Sequence, residues 1–180
     1  IRKGFKGYTN SKHLDRLFIG GNLTLVQSGV DMTSILVDND QNQIRETEYD
    51  LRRRWAKDGE TIDEERAMAG QSPYSVNANI SYEIIEKKTS ISLAYNVQGE
   101  KLSIVASGRN PDVYTTPFNS LDFNAYFSFG KELNSRLTIG ATNILDDDRT
   151  LVYKSYGTED RNYSTYKPGI GLKVKYAYTF

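Results

Sequence analysis

The sequence predicts an all-β protein whose main element is an antiparallel, up-and-down sheet with one apolar face. Six segments alternate apolar and polar residues with a period of two, and short and long connections between these segments alternate strictly. The 180 residues include 13 tyrosines and 7 phenylalanines but one tryptophan, and aromatic residues favour strands. This combination is typical of a segment of a transmembrane β-barrel, in which average hydropathy stays low.

Each of the six segments sorts its apolar residues onto one face of a strand. The fourth shows this most clearly, because Phe123 and Phe127 alternate with polar residues such as Asn124. The third changes phase at Gly99, which predicts a bulge there. The predicted strands cover residues 17–25, 76–84, 91–106, 121–129, 137–141 and 172–180, and residues 1–10 contain a candidate seventh strand.

The connections differ sharply in length. Residues 86–88 and 130–134 are short enough for hairpin turns, whereas residues 28–73, 108–117 and 146–166 are long and polar. In an up-and-down sheet this places every tight turn at one end and every long loop at the other. Outer-membrane barrels have this asymmetry, with periplasmic turns and extracellular loops. By the same parity, the last predicted strand ends on the periplasmic side.

Composition excludes several classes of protein. The chain has no cysteine, so it has neither disulfides nor thiolate metal sites. Lysine plus arginine equal aspartate plus glutamate at 23 each, so no overall charge attracts nucleic acid. No apolar run approaches the roughly 20 residues of a membrane helix. The chain begins IRKGFKGY, without an initiator methionine or a signal peptide, so we expect either a processed protein or a piece of a longer one, and these residues resemble the middle of a protein.

Aromatic residues near the predicted strand ends favour a membrane sheet over a soluble one. A soluble, lipocalin-like barrel also alternates, with its apolar face turned inward around a greasy ligand. Alternation alone does not decide which face is inside. Amphipathic rings at strand ends are typical of a membrane interface, and they occupy Tyr82, Phe118, Phe127, Phe129, Tyr176, Tyr178 and Phe180.

The sequence holds little enzyme or metal chemistry, so we predict no enzyme activity and no cofactor. The single histidine, His13, lies in a predicted turn and has no cysteine partner. Residues 38–42 begin like a calcium loop, but Gln43 and Tyr49 replace the glycine and glutamate that such a loop needs. The acidic run at 146–148 is interpreted as a solubilising loop in preference to a cation site.

Candidate ligand contacts lie in the long connections. Arginine pairs well with anionic groups, and tyrosine rings offer broad contact area at low entropic cost. A solvated helical piece extending towards Met68 is the alternative for the arginines, and an aromatic belt is the alternative for the tyrosines. The candidates are Arg52, Arg53, Arg54, Trp55, Tyr114, Tyr153, Tyr156 and Tyr163, with Tyr166 as a further plausible tyrosine.

An ordered set of motifs resembles the C-terminal portion of TonB-dependent receptors of the Bacteroidota type. The similarity covers about residues 14–180, although no single motif is specific enough alone. The motifs are Arg66-Ala67-Met68-Ala69-Gly70-Gln71-Ser72-Pro73-Tyr74, Tyr95-Asn96-Val97-Gln98-Gly99-Glu100-Lys101-Leu102, Pro111-Asp112-Val113-Tyr114, Asn119-Ser120-Leu121-Asp122-Phe123 and Asn143-Ile144-Leu145-Asp146.

The resemblance implies the last six or seven strands of a barrel of about 22, located in the bacterial outer membrane, with the plug and the TonB-contacting segment outside this chain. It implies uptake of an iron chelate, cobalamin, glycan or peptide. The implied partners are outer-membrane lipid, the barrel-assembly machinery, the TonB complex and a companion surface lipoprotein. The closing residues Tyr176, Tyr178 and Phe180 would be the assembly signal. The alternatives are a structural subunit or client of a larger assembly, a small closed barrel, and a soluble binder.

Overall fold

A computed structural model describes residues 2–4, 14–38, 45–56, 58–107, 110–154 and 159–180 of the chain. Strands dominate it, with one α-helix and two single-turn 3₁₀ segments at Leu14–Arg16 and Lys131–Leu133. In chain order the elements are β1 (Arg2–Gly4), β2 (Leu17–Leu25), β3 (Val30–Asp31), β4 (Leu36–Asp38), β5 (Arg45–Thr47), α1 (Glu48–Trp55), β6 (Glu65–Arg66), β7 (Tyr74–Ile85), β8 (Thr89–Gln98), β9 (Lys101–Ile104), β10 (Asp112–Thr115), β11 (Phe118–Phe129), β12 (Ser135–Thr142), β13 (Arg149–Lys154), β14 (Arg161–Tyr166) and β15 (Gly171–Tyr178).

The main sheet contains seven antiparallel strands in the order β1-β2-β7-β8-β11-β12-β15. It contains five of the six predicted strands and the first part of the third, up to Gln98, in sequence order, and the all-β class is confirmed. The tight connections at 86–88 and 130–134 join β7 to β8 and β11 to β12. In the described residues β1 and β15 are the two edges of an open sheet.

Strand register keeps the apolar residues of the main sheet on one face, which we call the apolar face. Residues directly opposite each other in an antiparallel pair share a face. One row of facing residues runs across six strands, and every side chain in it is apolar. That row is Ile19, Ile80, Leu93, Phe123, Ala141 and Leu172.

A second, four-stranded sheet has the order β14-β13-β10-β9. It corrects two predictions. Residues 108–117 and 146–166, predicted as loops, contain β10, β13 and β14. The predicted third strand does not pass through a bulge at Gly99, because β8 ends at Gln98 and β9 pairs with β10 in the second sheet. The phase change therefore marks the passage of the chain from one sheet to the other.

Gly99 allows that passage because an aromatic ring occupies the place of its side chain. A Cβ on Gly99 would lie 2.6 Å from Cε1 of Tyr74, and the Gly99 N–H donates to the Tyr74 carbonyl at 2.9 Å. The Ser72 hydroxyl donates to the carbonyl oxygens of Gly99 and Tyr74, both at 2.8 Å. A side chain at position 99 would displace the ring.

Gly99→Val should therefore lower the free energy of unfolding by about 1–3 kcal/mol, as overpacking does elsewhere. In a Tyr74→Ala background the same substitution should cost at least about 1 kcal/mol less, because the valine then fills the vacated space. Urea unfolding of the purified protein measures both values. Equal costs in the two backgrounds would contradict the role assigned to the ring.

The described residues between β2 and β7, namely 28–38, 45–56 and 58–73, form short elements that we call the insert. Two short sheets pair β3 with β6 and β4 with β5, and helix α1 follows β5 directly. Thr47 caps the helix, because its Oγ1 accepts from the Asp50 N–H at 3.0 Å. The predicted helical piece is present but ends at Trp55, well before Met68. None of the helices in the described part of the chain is long and apolar enough to cross a membrane.

The most deeply buried apolar side chains of the described residues lie in the second sheet and the insert, whereas the buried Val97 and Ala125 lie in the main sheet. Leu102 is fully buried, and Met32 and Val113 are each 3% exposed. The apolar face of the main sheet is left uncovered: on its inner strands Ile80 and Leu93 are 42% and 41% exposed. The apolar face of the main sheet is therefore largely exposed among the described residues.

Candidate functional site

Three sets of side chains come together in ways that bear on function: a buried ion network at α1, aromatic groups on the second sheet, and a polar concavity on the main sheet. The first centres on Arg52, which is 9% exposed. Its Nη1 and Nη2 donate to Oδ2 and Oδ1 of Asp112 at 3.0 and 2.8 Å, and its Nε donates to Glu48 Oε1 at 2.7 Å. Nη2 also donates to the Ala106 carbonyl at 2.8 Å.

The network attaches the insert to the hairpin of β9 and β10. Glu48 Oε2 adds a bond from the Ser107 hydroxyl at 3.0 Å. Burial disfavours the charge of Arg52, but the hydrogen bonds to Asp112 and Glu48 outweigh it and raise the pKa of the guanidinium above its ordinary value. Arg52 therefore stays charged and bonds to partners inside the protein. The sequence predicted either a ligand contact or a solvated helix face for this residue.

The rest of the arginine run is accessible. Arg53 and Arg54 are exposed, and Arg54 forms an ion pair with Glu46. Trp55 is 51% exposed at the end of α1. These three side chains remain candidate ligand contacts.

The sequence-predicted tyrosines lie on the second sheet. The rings of Tyr153 and Tyr163 meet edge to face with centroids 5.0 Å apart. Lys154 Nζ lies 5.3 Å from the centre of the Tyr114 ring and 2.6 Å from Glu100 Oε1. Tyr114 also lines a cavity of about 320 Å³ between the insert and this sheet. Tyr156 and His13 lie outside the described residues, as does most of the segment considered as a calcium loop, residues 39–44.

The closing aromatic row lies on β15 and just beyond it. Tyr176 and Tyr178 hydroxyls hydrogen-bond Ser135 Oγ at 3.2 Å and Asn134 Nδ2 at 3.1 Å. The Phe180 ring touches Tyr178 edge to face at 5.0 Å and is otherwise fully exposed. The two tyrosines are thus tied to the neighbouring strand, whereas Phe180 is presented outward.

Carboxylates of the acidic run at 146–148 form hydrogen bonds and an ion pair with other residues of the protein. Asp147 Oδ2 accepts from the backbone N–H of Asn119 at 2.7 Å and from its side-chain amide at 3.0 Å, which lowers the pKa of Asp147. These hydrogen bonds stabilise the folded protein at pH values above the ordinary carboxyl pKa. The stabilisation is lost as the pH falls through the lowered pKa of Asp147. Asp148 pairs with Lys167 at 3.0 Å. Across the described ranges no cluster of His, Asp and Glu is arranged to hold a metal ion.

The face of the main sheet opposite the apolar one is polar and partly enclosed. It contains a concavity of about 400 Å³, the polar concavity, lined by side chains from β7, β8, β11 and β12 that include Asn79, Ser92, Asn124, Tyr126, Arg136 and Thr138. Ser81, Ser90 and Ser128 on this face are only 7–9% exposed. A smaller depression of about 210 Å³ lies on the apolar face near Ile80 and Phe123. The larger of these two depressions therefore lies on the polar face.

Sequence reasoning missed Asp112 and Glu48 as members of a charge network, and Ser81 as a lining residue. The spacing of Glu48 and Arg52 at i and i+4 was an available signal, whereas Asp112 is 60 residues away in sequence from Arg52. No protein-family profile, curated protein or solved structure matches the chain. Function is therefore argued from the geometry and from the resemblance of the motifs.

Proposed function

We propose that this chain forms the C-terminal part of the wall of an outer-membrane β-barrel transporter of the TonB-dependent type, which takes up a scarce ligand. The observation that carries the proposal is the division of the main sheet into a continuous, uncovered apolar face and a polar face that contains a concavity of about 400 Å³. In a membrane barrel the first would contact lipid and the second would line an aqueous interior.

The position of the polar concavity favours this over a soluble, lipocalin-like binder. Such a binder needs its apolar residues around the ligand. Here the concavity of about 400 Å³ lies among serine and asparagine side chains, while Ile80, Leu93 and Ile139 are 41–42% exposed on the other face. An apolar face of this extent in water would promote association, whereas lipid covers it at no such cost.

Open sheet edges support a larger barrel. Unpaired backbone groups in hydrocarbon cost several kcal/mol each, so β1 and β15 need further strands if the sheet spans a membrane. The resemblance implies that these strands, the plug and the TonB-contacting segment belong to a longer protein. The partners in this proposal are outer-membrane lipid, the barrel-assembly machinery, the TonB complex and a companion surface lipoprotein.

The second sheet and the insert extend from the ends of the strands that are opposite the tight turns. In the proposed orientation they form the extracellular surface. The exposed side chains there that can contact a ligand are Arg53, Arg54, Trp55 and Tyr163, with Tyr114 and Tyr153 partly exposed beside them. The ligand belongs to the classes that the resemblance implies: an iron chelate, cobalamin, a glycan or a peptide.

The intact mass of the protein isolated from its native membrane tests the proposal. We expect a protein of the outer-membrane fraction with a mass several times the 20.4 kDa of this chain and with N-terminal peptides that encode a plug. Uptake by the intact cell should stop when the proton-motive force is dissipated. A 20.4 kDa protein that copurifies with stoichiometric partners would contradict the transporter and favour a structural subunit.

A further inference from the structure

The polar face of the main sheet is divided into a neutral half and a basic half. On β2, β7 and β8 three asparagines form a chain of side-chain amides: Asn77 Nδ2 donates to Asn22 Oδ1 at 2.7 Å, and Asn96 Nδ2 donates to Asn77 Oδ1. On β12 and β15 the same face carries Arg136, Lys173 and Lys175. The register establishes this, because Lys175 is opposite Thr138 and Thr138 is opposite Tyr126.

Two cations are held against the wall by aromatic rings. The guanidinium carbon of Arg136 lies 4.8 Å from the centre of the Tyr126 ring, and that of Arg149 lies 4.5 Å from the centre of the Phe118 ring. A ring attracts a cation through its quadrupole but carries no net charge. Arg136 Nε also donates to Ser128 Oγ at 3.2 Å. The ring and the hydroxyl thus position this cation without neutralising it, and its terminal N–H groups can still bind an anion.

The cations of β12 and β15 on this face have no carboxylate partner among the described residues. No carboxylate oxygen there lies within 4.0 Å of a charged nitrogen of Arg136, Lys173 or Lys175. Asp122, on β11, accepts from the Asn143 N–H at 3.0 Å. Arg149 is not counted with them, because it lies on β13 directly after the acidic run 146–148. We call Arg136, Lys173 and Lys175 the basic track.

The polar concavity meets the basic track at Arg136 and Thr138. Its volume of about 400 Å³ is that of a small-molecule site. Its opposite side is lined by hydroxyls and amides, and the buried Ser81 Oγ there has no hydrogen-bond partner among the described residues. Glu83 also lies on that side of the concavity. Its strand is three strand spacings from that of Arg136, which separates the two residues by roughly 14 Å.

We propose that the basic track and the polar concavity together recognise an oxygen-rich anion, a small solute that carries carboxylate or phosphate groups together with hydroxyls. The anionic groups bind the cations, and the hydroxyls bond to the amides of Asn79 and Asn124. The inference rests on the proposed function and deepens it, because it assigns a charge class to the solute that passes along this wall.

The local potential can be measured with a cysteine at Thr138, since the chain has no native cysteine. In the full-length protein in its membrane, Thr138→Cys is treated with an anionic and a cationic methanethiosulfonate reagent of similar size. We expect the ratio of the two rates, anionic over cationic, to be on the order of tenfold higher than at Asn77→Cys in the neutral half. Adding Arg136→Gln and Lys175→Gln should bring the ratio at Thr138→Cys close to that at Asn77→Cys.

A small anion then tests recognition itself. Citrate, a hydroxylated tricarboxylate, should slow the modification of Thr138→Cys, while its neutral triethyl ester should not, and the two glutamine substitutions should remove the protection. Equal rate ratios at Thr138→Cys and Asn77→Cys, or no effect of citrate, would overturn the inference. So would an unreactive Thr138→Cys, because a wall closed to a small reagent is closed to a solute. None of these results bears on the mass and membrane location that decide the proposed function.

Discussion

Arg52→Ala should destabilise the insert by about 3–5 kcal/mol, the cost of removing one partner from a buried ion pair. The substitution leaves Asp112, 4% exposed, without its cation, and leaves Glu48, 3% exposed, with only the more distant Arg66, whose Nη1 is 4.0 Å from Oε1. Because the network joins α1 to the hairpin of β9 and β10, we expect the insert to open locally while the main sheet stays folded.

Chymotrypsin cleavage at Tyr49 and Trp55 measures this opening, and its sites are not altered by substitution of arginine. Cleavage of Arg52→Ala should be faster than that of the native protein by two orders of magnitude or more, since about 3 kcal/mol corresponds to that factor when opening is a rapid equilibrium. Arg53→Ala, an exposed neighbour on the same helix, is the control and should be cleaved like the native protein. Similar cleavage of both variants would contradict the structural role of Arg52.

A double substitution separates the ion pair from the helix. Arg52→Ala combined with Asp112→Ala should cost less than the sum of the two single substitutions, because the second change removes a carboxylate that the first had left unpaired. Additive costs would mean that Arg52 stabilises the insert through α1 alone.

Phe180→Ala should reduce the yield of assembled barrel roughly tenfold or more while leaving the ligand affinity of the assembled fraction unchanged. The Phe180 ring is exposed and contacts only Tyr178 among the described aromatic residues, so its loss removes little packing from the sheet. Burial of a phenylalanine by a partner contributes about 1.5–3 kcal/mol, which is at least a tenfold change in binding. We therefore attribute the expected loss to recognition by the assembly machinery.

Thr179→Ala is the matched control, because it changes the adjacent residue but keeps the backbone N–H that donates to the Asn134 carbonyl at 2.9 Å. It should assemble normally. Tyr166→Ala, which removes a ring that is 65% exposed on the second sheet, should also assemble normally. Equal yields of Phe180→Ala and native protein in an insertion assay would contradict the assigned signal.

The strands of the main sheet were predictable because their alternation is set by one continuous face. Phe123 and Ile80 must lie in the same row as Leu93, and a slip of one residue would bury polar side chains against the apolar row. Strand β14 lacks this signal: its residues, Arg161–Tyr166, are all exposed, and the only non-polar surface in it comes from two tyrosine rings. Its pairing is fixed by β13, and the local pattern does not reveal it.

The candidate site was predictable only where local spacing reports it. The exposure of Arg53, Arg54 and Trp55 follows from a short, charged helix. The burial of Arg52 does not, because it depends on a contact with Asp112 across the insert. The same limit applies to Gly99. The change of apolar phase at this residue is visible in the sequence, but its contact with the Tyr74 ring is not, because Tyr74 is 25 residues earlier.

The central claim is that the apolar face of the main sheet contacts lipid and the polar face lines an aqueous interior. Spin labels at single cysteines along β11 in the membrane-embedded protein test it, three on each face. For the apolar face the positions are Phe123→Cys, Phe127→Cys and Phe129→Cys, and for the polar face they are Asn124→Cys, Tyr126→Cys and Ser128→Cys.

Collision rates with oxygen, which concentrates in lipid, and with a water-soluble nickel chelate should alternate along the strand with a period of two. Oxygen collisions should be highest at positions 123, 127 and 129, and nickel collisions should be highest at 124, 126 and 128. The reverse pattern, with the nickel chelate reaching the phenylalanine positions more readily than the polar ones, would contradict the account.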